Sequence, residues 1–237
     1  MDVTTKARQD IGIDDQLPPS AHPTTIGLML DTIIGPTSAR EEIRAVAVTT
    51  VFGSFTAGGT SGELGNDTDS QVLAALREWA DVILVGSGTV KAEDYGPADT
   101  PIAVVSRSLD FDTSAKLFGG APPLILTPEA SLTDAALAER RQALTNAGCS
   151  LVSTGQGGAG EIVDKLRELG YGRIICEGGP SLYADMFAHS LIDVLHLTID
   201  PRANGEPAGL QGDFTVNLEL EQVQTDGSFL FARYRRV

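Results

Sequence analysis

The sequence predicts an α/β fold, a mainly parallel mixed sheet flanked by helices and finished by a C-terminal antiparallel hairpin. Short apolar runs such as DVILVG, IAVVS and PLILT are typical of strands covered on both faces, as in parallel sheets. Segments with helical spacing separate these runs, and strands that alternate with helices indicate a parallel sheet. The tail LELEQVQTDGSFLFARYRRV alternates on both sides of TDGS, which is a hairpin signal.

The first half of the chain begins with an irregular segment. Residues 1–40 contain DDQLPPSAHP and lack a sustained period, so we expect an N-terminal extension with one short helix around IGLMLDTI, followed by a single domain over 41–237. RAVAVTTV predicts the first strand. NDTDSQVLAALREWA predicts a helix with Asp67 near its cap. Its apolar face comprises Val72, Leu73, Leu76 and Trp79.

The second half continues the alternation. TDAALAERRQALTNAG predicts a helix with Thr133 as its cap and Gly148 just past its end. SLVST predicts a strand, and GEIVDKLRELG predicts a helix stopped by Gly170. RIICE, PSLYADMFAHS and DVLHLTI then predict a strand, a helix and a strand. The residues expected to face inward from GEIVDKLRELG are Ile162, Val163, Leu166 and Leu169.

Composition excludes several classes of protein. The 237 residues are 42% apolar, enough for a sizeable core. Seventeen Lys and Arg against 32 Asp and Glu give a net charge of −15, which repels a nucleic-acid backbone. A phosphorylated small molecule is still compatible, because backbone N–H groups and one or two arginines can meet its charge locally.

Cysteine usage and the termini indicate a protein of the cell interior. Cys149 and Cys176 are expected to be buried small hydrophobes, and without a CxxC pair we expect no metal site. The polar, acidic start has no signal-peptide pattern, and no apolar run approaches membrane-spanning length. We therefore expect a soluble, cytoplasmic protein without a nucleic-acid or membrane partner.

The first strand-end turn with unusual residues is VGSGTVKAED, residues 85–94. A strand, two glycines and a short helix opening at Thr89 present free N–H groups and a helix's positive end, which suits a phosphate. A tight turn capped by Thr89 explains the same letters equally well. The spacing alone does not separate the two interpretations.

The second turn is SRS, residues 106–108, directly after IAVV. Ligands of parallel sheets bind beyond the carboxyl ends of the strands. An arginine between two hydroxyls at such an end suits a phosphomonoester, because its guanidinium offers a planar fork of donors.

The third turn, CEGGPSL, follows the strand RIIC and opens a helix. Gly178 and Gly179 permit close backbone approach, and Pro180 suits a first helical turn. The N–H groups of Ser181 and Leu182 can then face a pyrophosphate. Glu177 either caps the helix that follows or faces whatever the glycines admit.

A fourth turn, GQGGAG at residues 155–160, matches the dinucleotide fingerprint GxGxxG. It follows a predicted strand and opens a predicted helix. Glu177, at the end of the next strand, lies about where a ribose-binding acid would be expected. The segment STGQGGAGE is long and very glycine-rich, which also suits a surface loop. We favour the loop.

Taken together, the first three turns resemble a known family. ADVILVGSGTVKAEDYGP, then SRS, then IICEGGPSL…LIDVLHLTIDP is similar to the reductase domain of bacterial riboflavin biosynthesis, the C-terminal domain of RibD. The order, spacing and flanking strands agree from about Arg44 to the final FARYRRV. The resemblance implies a dihydrofolate reductase-like fold, a homodimer and NADPH as hydride donor. It implies 5-amino-6-(5-phosphoribosylamino)uracil, a phosphorylated pyrimidine, as substrate.

The resemblance also implies roles for individual residues. The positions that would contact NADPH, with Arg107 at the 2′-phosphate, are Gly86, Gly88, Thr89, Val90, Glu93, Ser106, Arg107, Gly178, Gly179, Pro180, Ser181 and Leu182. Glu177 would face the pyrimidine as the catalytic carboxylate. The substrate-binding positions would be Thr50, Gly53, Asp94 and Glu177.

The chain differs from the family pattern in two places. TVFGSF has Phe52 before Gly53 where the family has an aspartate. The arginine that holds the ribose phosphate in the family has no match after YGPADT. The motifs of the zinc deaminase half, HxE and PCxxC, are missing, so only the reductase step is expected. His189 is expected at a helix end and His196 as a packed strand residue, neither of them catalytic.

Three functions are compatible with the sequence. The first is an NADPH-dependent reductase of the ribosylaminopyrimidine. The second is an oxidoreductase of the same fold acting on another heterocycle, which Phe52 favours. The third is an NADP-binding protein without turnover.

Overall fold

The computed structural model describes residues 23–207 and 209–237, and most of the expected N-terminal extension lies outside these ranges. The described chain forms one nine-stranded sheet in the order β5-β4-β3-β2-β6-β1-β7-β9-β8. Its strands are β1 Glu42–Thr50, β2 Val82–Gly86, β3 Ile102–Val105, β4 Leu124–Thr127, β5 Ser150–Ser153, β6 Arg173–Cys176, β7 Val194–Asp200, β8 Leu218–Asp226 and β9 Phe229–Arg236. Its α-helices are α1 Pro23–Ile34, α2 Asp67–Trp79, α3 Ser87–Ala92, α4 Glu129–Thr133, α5 Ala138–Asn146, α6 Ala159–Glu168 and α7 Pro180–Ala188.

Strands β1 to β7 run parallel, and β9 and β8 complete the sheet antiparallel, as predicted. Both faces are covered. In β2, Val82 and Leu84 face α6 and α7, while Ile83 and Val85 face the side covered by α1 and α2. All four side chains are fully buried, which is why this strand is an unbroken apolar run.

The start of α2 agrees with the sequence expectation, whereas the helix expected from Thr133 does not form as one piece. Asp67 lies next to the cap of α2, which is Asn66: its Oδ1 accepts the N–H of Asp69 at 3.0 Å. The expected helix from Thr133 is broken: α4 ends there, and Asp134 caps a single 3₁₀ turn before α5 begins. Asp134 Oδ1 accepts the N–H of Ala136 at 2.9 Å and so starts a new turn.

Two helices end just before a glycine with positive φ. Gly148 and Gly170 have φ of +85° and +92° and end α5 and α6, as predicted. Leu169 was expected to face inward but is 47% exposed, because α6 ends at the residue before it.

The predicted short helix at IGLMLDTI is present as α1, and it packs against α2, β8 and β9. The hairpin is also present, with Gly227 at φ +57° between β8 and β9.

Cys149 and Cys176 are both buried, and neither forms a disulfide. Burial raises the pKa of the Cys176 thiol to about 12. No helix within 23–207 or 209–237 is long and apolar enough to cross a membrane.

Candidate active site

Two neighbouring cavities open at the carboxyl ends of the central strands, where parallel sheets place their ligands. We call the first the glycine cavity. It has a volume of about 460 Å³ and is lined by Gly86, Ser87, Gly88, Thr89, Val105, Arg107, Ser108, Gly157, Ile162, Gly179, Pro180, Ser181, Leu182 and Asp185.

We call the second the acidic cavity. It has a volume of about 510 Å³ and lies between β1, α2 and the loop before α2. Four acidic residues line it, Asp69, Glu93, Asp94 and Glu177. The remaining lining side chains include Arg77, Tyr95, Tyr183, Phe55 and Thr56.

The two cavities form one continuous cleft. Gly88, Thr89, Gly179 and Pro180 line both of them. An elongated ligand can therefore lie across the glycine turns with one end in each cavity.

The floor of the glycine cavity is built from two turns that meet at their glycines. The N–H of Gly86 donates to the carbonyl of Gly178 at 2.6 Å, and a Cβ on Gly86 would lie 3.4 Å from the Gly179 nitrogen. A Cβ on Gly179 would lie 2.5 Å from Thr89 Oγ1. The two turns can approach this closely because these positions are glycine.

The amino end of α7 faces the glycine cavity. Pro180 occupies its first position, and the N–H groups of Ser181 and Leu182 have no partner within the helix. The first turn of this nine-residue helix therefore offers donors and positive dipole charge to an anion. Helix α3 begins at Ser87, two residues before the opening at Thr89 that we expected.

Arg107 lies at the rim of the glycine cavity and is exposed. Its Nη2 donates to the carbonyl of Gly157 at 3.2 Å. The GQGGAG loop thus borders the cleft. Its amides at Gln156 and Gly158 are occupied, since both donate to the carboxylate of Glu161 at 3.0–3.1 Å. That occupancy supports the loop interpretation over a dinucleotide fingerprint.

Glu177 lies in the acidic cavity with a side chain only 7% exposed. The guanidinium of Arg77 binds both of its oxygens, through Nε to Oε1 and Nη2 to Oε2, each at 2.7 Å. The Tyr95 hydroxyl donates to Oε2 as well. Glu177 is therefore not the cap of α7, whose cap is Gly179.

These contacts also determine the protonation states of Arg77 and Tyr95. Burial alone would lower the pKa of Arg77, but the hydrogen bond to Glu177 and its charge raise the pKa above the usual range. Burial and then the charge of Glu177 raise the pKa of Tyr95 well above its usual value. Arg77 therefore remains a cation and Tyr95 a hydrogen-bond donor throughout the physiological pH range.

The other predicted residues of the acidic cavity are Glu93 and Asp94. Glu93 Oε1 accepts the N–H of Ser61 at 2.8 Å, which ties the loop before α2 to α3. Asp94 forms an ion pair with Lys116 at 2.5 Å on the exposed side. Glu93 was expected to contact the cofactor, and it lines the acidic cavity instead of the glycine cavity.

Five predicted residues lie near the cleft but do not line it. Val90 is packed in the core, and Ser106 is buried with its hydroxyl accepting the N–H of Leu109. Gly178 contributes its carbonyl to the floor. Thr50 is buried and bonds to Asn204, and the carbonyl of Gly53 accepts the N–H of Gly209.

Phe52, the residue that departs from the family pattern, is 75% exposed and lines neither cavity. His196 is a packed strand residue, as expected: it is buried in β7, and burial lowers its pKa to about 3. His189 lies at the end of α7, where its ring contacts the carbonyl of Asp185 at 2.9 Å.

Sequence reasoning missed Asp69, Arg77 and Tyr95. Arg77 and Leu73 are four residues apart on α2, which places them on one flank of the helix. An arginine on the flank of a core-facing helix was the available signal for Arg77. Nothing local connected it with Glu177, a hundred positions later.

The chain is similar to known proteins over most of its length. The model of the RibD C-terminal domain family matches residues 43–231. The 2,5-diamino-6-ribosylamino-4(3H)-pyrimidinone 5′-phosphate reductase of Methanothermobacter thermautotrophicus is 24% identical over 208 residues, covering 79% of this chain and 94% of that protein.

Solved structures share the fold of this chain. A pyrimidine reductase-like protein from Corynebacterium diphtheriae is 30% identical, with a TM-score of 0.79 over 88% of this chain and 98% of that one. RibD of Acinetobacter baumannii shares the fold at 16% identity and a TM-score of 0.68, over 84% of this chain and 59% of that one. Dihydrofolate reductase from Enterococcus faecalis shares it at 15% identity and a TM-score of 0.50, over 84% of this chain and 98% of that one.

Proposed function

Because this chain belongs to the RibD C-terminal domain family, we propose that it is an NADPH-dependent reductase of a phosphorylated ribosylaminopyrimidine in riboflavin biosynthesis. The observation that carries the proposal is the continuous cleft. One half offers glycine turns and a helix amino end, and the other offers a buried carboxylate held by Arg77 and Tyr95.

The residues of the glycine cavity fit a dinucleotide. The turns at Gly86 and Gly179 approach so closely that a Cβ at either would meet the other turn, while a Cβ on Gly88 would meet nothing within 4 Å. The backbone is thus open to a ligand at Gly88. The Ser181 and Leu182 amides suit its pyrophosphate, and Arg107 at the rim suits a 2′-phosphate, which favours NADPH.

When bound, a reduced nicotinamide supplies the hydride, and the protein supplies position and electrostatics. Gly88, Thr89, Gly179 and Pro180 lie where the two cavities join, so they would fix the distance between cofactor and substrate. Glu177 would accept hydrogen bonds from the heterocycle. Arg77 and Tyr95 hold its carboxylate in one orientation, so no further ordering is needed when substrate arrives.

A second candidate is a reductase of the same fold acting on a heterocycle without a phosphate. The charge of the acidic cavity favours it. Four acidic residues line that cavity, and Arg77, the cation among the described lining residues, is paired with Glu177. A phosphate ester would face negative charge there, unless backbone N–H groups of the neighbouring loop receive it.

The test is NADPH oxidation at equal enzyme concentration with 5-amino-6-(5-phosphoribosylamino)uracil, with its dephosphorylated form, and with a dihydropterin. Turnover of the phosphorylated pyrimidine supports the first candidate. Preference for either unphosphorylated compound supports the second. NADPH binding without oxidation of any of the three would overturn both in favour of a binding protein.

We also propose that the chain forms a homodimer. Strand β8 lies at the edge of the sheet, and its Leu220 and Val223 are 51% and 45% exposed. An edge strand of nine residues with exposed apolar side chains is a surface suited to pairing or packing with a second copy. Light scattering on the purified protein measures the molar mass, and a monomer at micromolar concentration would contradict this.

A further inference from the structure

Asp69 has a fixed place at the rim of the acidic cavity. It lies in the first turn of α2, and its backbone N–H is held by the Asn66 side chain at 3.0 Å. Asp69 lines the same cavity as Glu177 and Arg77.

The surroundings of Asp69 are shaped to receive its carboxyl group. Gly65 has φ of +83°, and a Cβ there would lie 2.5 Å from Asp69 Oδ2. Asp200 lies behind it, fully buried and bound by Arg202 at 2.7–2.8 Å and by the N–H of Gly65 at 3.0 Å.

This setting favours the protonated form of Asp69. Burial raises its pKa, and the negative charge of Asp200 raises it further, while the hydrogen bond with Thr198 acts in the opposite direction. Two more carboxyl groups lie at this end of α2. Asp67 is exposed, and Asp226 accepts hydrogen bonds from Asn66 and Thr68.

The other acidic side chains of the cavity are engaged. Glu177 is bound by Arg77 and Tyr95, and Glu93 accepts the N–H of Ser61. Asp94 pairs with Lys116 on the outer side. The Tyr183 hydroxyl donates to the carbonyl of Val46.

We propose that Asp69 is a further catalytic residue, the acid that delivers a proton to the substrate as it is reduced. The proposal rests on the proposed reductase function. Reduction of a C=N bond forms a C–H bond at carbon with the hydride of a reduced nicotinamide and an N–H bond at nitrogen with a proton. The bond's π electrons move to nitrogen, Asp69 supplies that proton and becomes a carboxylate, and solvent reprotonates it.

The test compares Asp69→Asn with Asp67→Asn. Asp67 is an exposed aspartate on the same helical turn, so its variant makes the same Asp-to-Asn substitution outside the cavity lining. We expect kcat of Asp69→Asn to fall about 10²- to 10⁴-fold, the usual contribution of a positioned acid. Wild-type kcat should fall as pH rises through the pKa of Asp69, since the acid must carry its proton. This decrease of kcat with rising pH should be missing from the residual activity of Asp69→Asn. Asp67→Asn should have the kcat and pH profile of the wild type.

A second measurement does not depend on turnover. Carboxyl-carbon NMR of the free protein should show an aspartate with a raised pKa that is present in Asp67→Asn and missing in Asp69→Asn. NADPH titration checks that both variants keep the cofactor half of the cleft.

The outcomes separate the two proposals. Wild-type turnover with unchanged kcat and pH profile in Asp69→Asn would overturn the role of Asp69 and leave the reductase assignment standing. A raised pKa assigned to another aspartate would do the same. A wild-type protein that oxidises NADPH with none of the three substrates would overturn the reductase assignment, and the role of Asp69 with it.

Discussion

Arg77 and Glu177 form a two-point ion pair, Nε to Oε1 and Nη2 to Oε2 at 2.7 Å each, that joins α2 to the turn after β6. The carboxylate is 7% exposed and the guanidinium 28%, so the pair is only partly screened by water. Planar pairs of this kind fix orientation as well as charge. The pair therefore belongs both to the fold and to the candidate site.

Changing Glu177 to Gln should reduce stability and activity together. Arg77 loses its counter-charge and one acceptor oxygen, so the free energy of unfolding should fall by about 1–3 kcal/mol. kcat/KM should fall because the heterocycle loses a charged acceptor, while NADPH affinity holds. Urea denaturation, NADPH titration and steady-state rates measure the three effects.

Arg77→Met and the double variant provide the control for that experiment. If the pair is the main contact of each side chain, the double variant will lose less stability than the sum of the two single variants. The difference, the coupling energy, should be about 0.5–3 kcal/mol. Additive losses would mean that the two side chains act independently. Unchanged turnover in Glu177→Gln would remove Glu177 from the mechanism.

The sequence predicted the sheet and its turns because those signals are local. Val82 to Val85 are apolar since both faces of β2 are covered, and Gly170 ends α6 at a φ that favours glycine. The pairing of Arg77 with Glu177 was not predictable in this way. It depends on β6 lying beside β2, which no neighbouring residue specifies.

Other differences arise from competition between local signals. Thr133 and Asp134 are both good helix caps, and the structure uses Asp134, which breaks the expected helix. The start of α3 at Ser87 turns Val90 into the core, although the motif had placed Val90 among the cofactor contacts.

Changing Arg107 to Ala should weaken NADPH binding and leave NADH binding almost unchanged. The variant loses the charge-assisted hydrogen bonds to the 2′-phosphate, worth about 1.5–3 kcal/mol, or roughly a 10- to 100-fold change in Kd. Fluorescence titration with both cofactors measures the ratio. Arg140→Ala is the matched control, because Arg140 is a neighbouring exposed arginine that does not line the glycine cavity. An equal loss for both cofactors would make Arg107 a structural residue.

Changing Gly88 to Ala should block the cleft without unfolding the protein. The added Cβ meets no protein atom within 4 Å, and Gly88 lines the glycine cavity, where we propose that the cofactor binds. Alanine is also the better helix former, so the melting temperature should hold or rise slightly. Gly160→Ala, a helical glycine with equally open surroundings in α6, should leave NADPH affinity intact. Tight NADPH binding by Gly88→Ala would place the cofactor elsewhere.

The stability of the protein should depend on pH through Asp69. Its pKa is raised above the ordinary value of 3.8 by burial and by Asp200, so the folded state binds this proton more tightly than the unfolded state. The stabilisation is complete below the ordinary pKa and is lost as pH rises through the raised one. Asp69→Asn should therefore be more stable than the wild type at neutral pH, with a difference that shrinks on acidification to about pH 4. Urea midpoints across that range measure it, and a difference that grows towards acid pH would contradict the raised pKa.

The position of β6 between β2 and β1 also has a consequence for synthesis on the ribosome. Strands β2, β3, β4 and β5 can pair with one another as soon as they emerge, whereas β1 must wait for β6 before it acquires its first parallel neighbour. Both edges of β1 and one edge of β2 are thus unpaired in the nascent chain until about residue 176 has left the exit tunnel. Contacts between distant parts of a chain form slowly, and open edges invite aggregation. Co-translational protection by chaperones should therefore matter most in this interval.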